Sequence, residues 1–424
     1  MSTPGAAPPP GVDPSGLGPD VQPSMIERYG LAQRAEGFVA PLLTTVLAFL
    51  VGGLVVLITT GKNPVTTYRA IFEGAGLSWF FEVGNYRIGL PFSDATVWFP
   101  WNVNDFESVA AVNLQQTLIV TTTLVLTGLA VAFAFRCGMF NIGGQGQYIV
   151  GGIWAVWIGT SFDGLNPFLH ITLAIVVATL AGAAWAGIAG FLKATVGAHE
   201  VITTIMLNWI AIWVGSFLFG VGGPLQNDQQ ASVPFSNDVV EGAKLPILWG
   251  DPLLQGLHVG VFFAVAALVV YWAMLNRTTL GYGVRAVGFN PEAARYGGIG
   301  VRRNYFLAMA ISGAFAGLAG ATDILGWQFR LSTGDVQNVA GGLGFTGIAV
   351  ALLGRNTAVG VALAALLFGS LITGTSTRNL DPEVFQPELA SNLTLLIQGL
   401  VVLFVGADLI VLWLLRRVRT RVPA

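Results

Sequence analysis

Long apolar runs rather than alternation organise this chain. Segments of about 20 residues in which polar side chains are rare recur at roughly 38–60, 108–135, 140–160, 169–192, 201–221, 257–275, 304–325, 340–354, 357–375 and 391–415. At 1.5 Å of rise per residue, a helix of that length crosses a hydrocarbon core of ~30 Å. The pattern predicts an all-α polytopic membrane protein with about ten transmembrane helices. Membrane strands would read as alternating segments of ~10 residues, so a β-barrel is excluded. The eighth run is short and glycine-rich, which predicts a re-entrant or tilted piece.

Composition sharpens this reading. Of 424 residues, 54% are hydrophobic and 10% charged, against roughly 25% charged in soluble domains. So few charges cannot clothe a soluble surface of this size, and a cytosolic globular enzyme is excluded. The 55 glycines fit helices that approach closely in lipid. A net charge of −2 gives no reason to expect a nucleic-acid partner, and the single Cys137 rules out a disulfide framework.

Three domains are expected: a Pro/Gly-rich cytosolic tail at 1–36, a transmembrane domain at 37–415, and a basic cytosolic tail at 416–424. Residues 1–24 hold seven prolines and no apolar run, so they cannot build a core. The run beginning near Gly37 is too long for a signal peptide's apolar region and is expected to remain as a span. With both termini inside, fourteen of the twenty Lys and Arg residues fall on the inner side, as the positive-inside rule favours. In the long outer segment 61–107, Trp79, Trp98 and Trp101 suit a membrane–water interface.

The inner segment 276–303 carries five arginines and the signals of a short helix. Asn290 is a good cap, Pro291 suits a first helical position, Glu292 favours the positive end of the helix dipole, and Gly297–Gly298 stop the helix. A solvated loop that only sets topology has this charge, and so has a docking element for a cytosolic partner.

The pattern Arg-Ala-Val-Gly-x-Asn-Pro-x-Ala-Ala-x-Tyr-x-Gly-Ile at 285–299 resembles the coupling loop of ABC importer permeases of the branched-chain amino acid/monosaccharide/nucleoside superfamily. Phe140-Asn-Ile-Gly-Gly-Gln-Gly-Gln147 and His199-Glu-Val-Ile-Thr-Thr-Ile-Met-Leu-Asn208 are similar to two signatures of its nucleoside-type, purine nucleoside members. Gln145 stands where those members usually carry an acid, and the run from Gly341 to Gly354 looks like their later glycine-rich helix. The resemblance spans about 37–415 and implies a nucleoside importer subunit with glycine-broken helices in a bacterial plasma membrane. It implies an ABC ATPase partner that binds ATP and Mg, a second homologous permease subunit in a heterodimer, and an extracytoplasmic binding protein. Arg285, Asn290, Pro291, Glu292, Ala293, Ala294 and Tyr296 would then form the ATPase-coupling element.

The amides Asn141, Gln145, Gln147 and Asn208, which fall within apolar runs, are the candidate substrate-path residues. Amides in lipid must find partners, so each either glues helices together or faces a path. Glu200 sits near Lys193 and His199, a setting for an ion pair. Asp323 and Arg330 are placed at the outer end of the seventh run, within reach of a delivery protein, and Asp408 lies inside the last. No Gly-x-x-x-x-Gly-Lys-Ser/Thr loop is present, and His170, His199 and His258 have no metal-binding spacing, so neither enzyme chemistry nor a bound cofactor is expected of this chain itself. Permeases for branched-chain amino acids or sugars share this architecture. An ion-coupled carrier is the remaining alternative, and it would call for ionisable groups at mid-membrane.

Overall fold

The computed structural model describes residues 25–89, 96–230, 232–251, 254, 256–337, 342–376, 379 and 387–406. It is mainly helical: α1 (Met25–Thr60), α2 (Pro64–Gly74), α3 (Val109–Arg136), α4 (Gly144–Ser161), α5 (Pro167–Val196), α6 (Glu200–Phe219), α7 (Gly260–Arg277), α8 (Thr279–Phe289), α9 (Pro291–Tyr296), α10 (Val301–Asp323), α11 (Thr333–Gln337), α12 (Leu343–Leu353), α13 (Ala358–Gly374) and α14 (Pro387–Gly406). A π-helical turn, Ile324–Gln328, continues α10. Among the described residues six stretches are long and apolar enough to cross a bilayer: Leu42–Thr60, Val109–Arg136, Pro167–Val196, Glu200–Phe219, Gly260–Arg277 and Val301–Gln328. Length and apolarity thus single out six spans where the sequence pattern counts about ten. Among the described residues, the apolar helices Leu343–Leu353, Ala358–Gly374 and Asn392–Phe404 are shorter, and α4 carries two glutamines and five glycines.

Local chemistry sets the boundaries. Asn63, Asn166 and Asn290 each accept a backbone N–H of the first turn (2.9, 3.0 and 3.0 Å), and a proline follows each of them at a position where no N–H is required. Ser108, Thr278 and Thr357 cap α3, α8 and α13 in the same way. The helix α5 stops at Gly197, whose φ of +70° suits glycine.

The centre of the bundle is built on α3 and α10. Phe133 of α3, between Tyr271 and Phe315, is fully buried. The face of α10 that meets α4 and α5 is paved with glycine. A Cβ on Gly317 would lie 2.6 Å from the Ala178 carbonyl, one on Gly151 would lie 2.5 Å from the Gly317 backbone, and one on Gly182 or Gly313 would strike the other's carbonyl. These helices therefore touch backbone to backbone, the close approach that small residues allow in lipid. Outward faces of α1, α5, α6 and α7 expose Leu50, Leu180, Trp213, Phe217 and Val269. That inside-out pattern fits hydrocarbon as the surrounding solvent.

The two long connections fold over the end of the bundle remote from α9. Antiparallel pairs Tyr86–Gly89 with Thr96–Phe99 and Ile247–Trp249 with Leu257–His258 were not signalled by the sequence pattern. Trp79 proves to be buried, packed on Trp101 and Trp249 at centroid distances of 6.0 and 5.1 Å, while Trp98 is exposed. The interfacial reading of Trp79 gives way to a structural one, in which aromatic stacking ties 61–107 to 222–256. Helix α1 starts at Met25, inside the segment read as the 1–36 tail, whereas residues 1–24, Asp408 and the tail at 416–424 lie outside the described residues.

Because α10 has no room for side chains at its glycine face, Gly313→Val is expected to cost more than about 3 kcal/mol, beyond ordinary overpacking. Thermal melting of the purified chain checks this, and Gly399→Ala, whose added methyl meets nothing within 4 Å, is expected to melt with wild type.

Candidate functional site

After α3 ends, Gly138 adopts a φ of +73° and the chain turns back into the bundle before α4 begins. Asn141 is the hub of that turn. Its side-chain oxygen accepts from Gly143 N–H at 2.9 Å and from Gln147 Nε2 at 3.0 Å. Its amide nitrogen donates to Gln147 Oε1 at 2.9 Å and to Ser312 Oγ of α10 at 2.7 Å. Ser312 in turn donates to the Ala130 carbonyl of α3. Asn208 of α6 closes the other side: it accepts Gly146 N–H at 2.8 Å and donates to the Ile142 carbonyl at 2.9 Å. Asn141, Gln147 and Asn208 thus spend their polar atoms on the protein itself.

Gln145 is placed differently. Its Oε1 accepts Gly344 N–H at 3.0 Å, and the Leu343 carbonyl accepts from Thr127 Oγ1 of α3 at 3.2 Å. The first turns of α4 and α12 therefore meet inside the bundle, and Gln145 is the one of the four amides that lines a cavity there. That cavity, of about 200 Å³, is bounded by Gln145, Tyr148, Ile149, Gly152, Ile324, Trp327, Gln328, Leu331, Asp335, Val336, Gly342 and Leu343. Two larger clefts, of about 480 and 610 Å³, lie on the faces of α4, α5 and α6 with apolar linings throughout, where a lipid environment accounts for them.

Asp323 lies beside this cavity. Thr123, halfway along α3, donates to one carboxylate oxygen and Tyr148 Oη to the other at 2.7 Å. Gln328 Nε2 reaches Tyr148 Oη at 3.5 Å, and Trp327 Nε1 is buried near the carboxylate without full hydrogen-bond alignment. The sequence pattern put Asp323 at the outer end of its run, accessible to a delivery protein. It is instead 1% exposed and level with the middle of α3. Arg330 does stay exposed, over the Phe235 ring at 5.1 Å. Tyr148, Trp327, Gln328 and Asp335 were not singled out from sequence, because nothing in the apolar pattern marks a π turn at the end of α10.

At the opposite end α8 and α9 form an elbow. The sequence reading expected only the short helix α9, yet α8 precedes it, started by the Thr278 cap. Val284, Val287 and Ala294 are buried against the bundle, and a Cβ on Gly288 would lie 2.9 Å from the Cys137–Gly138 backbone. The outward surface carries Arg285, Glu292, Ala293 and Arg295 together with Phe289 and Tyr296, the last two 96% and 93% exposed. Glu292 and Arg295 pair at 3.4 Å in the open, which contributes little to stability. Near the elbow, Lys193 and Glu200 form the expected ion pair at 2.8 Å. Among the described residues no group of three His, Cys, Asp or Glu side chains is placed to hold a metal ion.

Comparison with known proteins decides what kind of molecule this is. The family model described as "Branched-chain amino acid transport system / permease component" matches residues 113–406. The chain belongs to that family. It is 37% identical over 380 residues to the guanosine ABC transporter permease protein NupP of Bacillus subtilis, covering 89% of this chain and 95% of that one. It is 32% identical to the nucleoside ABC transporter permease protein NupB of Lactococcus lactis subsp. cremoris, over 81% and 86% of the two chains. The glucose ABC transporter permease protein TsgB13 of Haloferax volcanii is 33% identical over 86% of each chain. No solved structure matches. The chain is thus a multi-pass membrane permease component.

The Asn141 hub yields a separable prediction. Asn141→Leu strands the Gly143 N–H, Gln147 and Ser312 in a buried site, and each orphaned group costs about 1–3 kcal/mol. A marked fall in the melting temperature of the purified chain is expected, and unchanged melting contradicts the hub assignment.

Proposed function

We propose that this chain is the transmembrane subunit of an ABC importer that moves nucleosides inward, driven by ATP hydrolysed on a separate subunit. The observation that carries the reading is the α8–α9 elbow. Its inner side is fixed to the bundle, and its outer side presents Phe289, Tyr296 and Arg285 to solvent with no partner among the described residues to bury the two aromatic rings. Aromatic and arginine side chains that protrude from a rigid support are the typical anchors of a protein interface. Asn290, Pro291 and Glu292 set the start of α9, Ala293 and Tyr296 lie on its surface, and Ala294 fastens it to the bundle.

In this reading the ATPase holds ATP and Mg, grips the elbow, and moves it through its cycle. The contact of Gly288 with the Cys137–Gly138 backbone passes that motion to the turn before α4, where Asn141 couples it to α10. Rocking of packed helices then alternates access. The ten-span count follows if α4, α12, α13 and α14 cross or re-enter the membrane beside longer neighbours, with α4 and α12 as glycine-broken helices that meet head to head. Both termini lie in the cytoplasm of a bacterial cell, on the side of the elbow and most basic residues. A second homologous permease subunit completes the path as a heterodimer, and an extracytoplasmic binding protein delivers substrate to the end formed by 61–107 and 222–256. Similarity to the guanosine and nucleoside permeases supports the substrate class. The glucose permease keeps sugars as the second candidate.

Asp323, an acid level with the middle of α3, is the feature an ion-coupled carrier would also use. Energy source separates the two. Arg285→Ala combined with Tyr296→Ala is expected to reduce nucleoside uptake by about tenfold or more while membrane insertion stays normal, since anchor side chains at interfaces are worth ~2 kcal/mol or more each. Uptake that persists in this double variant, or in vesicles lacking any ATPase, contradicts the proposal.

A further inference from the structure

The cavity between α4, the π turn and α12 has a lining that discriminates by charge. Its polar side chains are Gln145, Tyr148, Gln328 and Asp335, its aromatic surfaces are Tyr148 and Trp327, and the remainder is aliphatic or glycine. Among the described residues no lysine, arginine or histidine lines it. Asp323 stands directly behind Tyr148, and both of its oxygens are engaged by hydroxyl donors. A carboxylate or phosphate brought here would meet no cation among the described residues and would stand beside Asp335, with Asp323 behind Tyr148. An anion held there without a compensating cation is disfavoured. A neutral solute whose hydroxyl and amide groups exchange hydrogen bonds with glutamine and carboxylate oxygens bears no such penalty. The indole and phenol rings add faces on which a planar base can stack.

We infer that this cavity, whose volume of about 200 Å³ suits a planar base and whose rim carries the exposed Asp335, is the nucleoside subsite of the subunit, lined by Gln145, Tyr148, Trp327, Gln328 and Asp335, and that it admits neutral nucleosides while rejecting nucleotides and amino acids. The inference rests on the nucleoside reading above and adds where and how selection occurs. Gln145 fits this lining: its Oε1 holds the Gly344 N–H while its amide nitrogen remains a donor.

The chain supplies a clean way to test this, because its single cysteine, Cys137, is buried. In the assembled transporter purified through a tag on this chain, Gln328→Cys is labelled with a maleimide in the presence of guanosine, inosine, guanosine monophosphate, leucine or glucose. Each nucleoside, at ten times its Kd, is expected to slow labelling about tenfold, as simple occupancy requires. The monophosphate and leucine are expected to leave the rate unchanged. In parallel, Gly152→Leu fills the cavity from the α4 side and is expected to raise the KM for guanosine uptake about tenfold. The rise is smaller for Gly152→Ala, whose methyl meets Ile324 at an ordinary 3.4 Å. If the transporter takes up guanosine but no nucleoside protects the thiol and Gly152→Leu keeps the wild-type KM, the subsite is overturned and the proposed function stands. Equal protection by the monophosphate overturns the charge selection. Uptake of leucine or glucose with none of nucleosides overturns the proposed function itself, and the subsite with it.

Discussion

Polar groups withdrawn from water into an apolar surrounding have to be given partners by the protein, and this structure turns that requirement into architecture. The amide of Asn141 meets it most fully, with four hydrogen bonds that reach the start of α4, Gln147 and α10. Through Ser312 the same network reaches the Ala130 carbonyl on α3. The chain between α3 and α4 could not otherwise leave helical hydrogen bonding inside the bundle. Once it does, α4 starts within the bundle, and Gln145 can meet the first turn of α12.

Glycine provides the second half of the design. Backbone contact of α10 with α4 and α5 leaves no slack on that side, so α10 behaves as a rigid post. The site lies at one end of this post and the elbow lies at the other. Twenty-eight residues from Val301 to Gln328 separate them, about 40 Å at 1.5 Å per residue. Between the two ends runs an unbroken line of contacts: Gly288 on Gly138, Asn141 on Ser312, Tyr148 on Asp323. A lever fixed at both ends to stiff parts needs no large deformation to transmit a displacement.

Much of this was legible in the sequence because the signals were strong and local. An apolar run read as 108–135 proves to be Val109–Arg136, the Asn290-Pro291 start of α9 is where capping chemistry puts it, and Lys193 pairs with Glu200. The misses have a common physical cause: they depend on contacts between segments far apart in the chain. Trp79 looks interfacial until Trp101 and Trp249 cover it. Asp323 looks terminal until the crossing of α10 sets it beside Thr123. The helix α8 is hidden by its glycines, which weaken helix propensity but permit close contact with the turn at Gly138. Of the four amides singled out beforehand, only Gln145 borders the cavity, since an amide that lines a path and one that braces a turn have the same sequence signature.

In the proposed mechanism everything depends on the elbow being a cytoplasmic handle that a separate ATPase grips. The most direct measurement is the sidedness and shielding of a thiol at its tip. With Cys137 buried, Tyr296→Cys in sealed membrane vesicles of known orientation reports reagent access at one place only. A membrane-impermeant maleimide is expected to label this thiol from the cytoplasmic face alone, and labelling is expected to be blocked when the ATPase is bound. Labelling from the external face, or equal labelling with and without the ATPase, would contradict that mechanism.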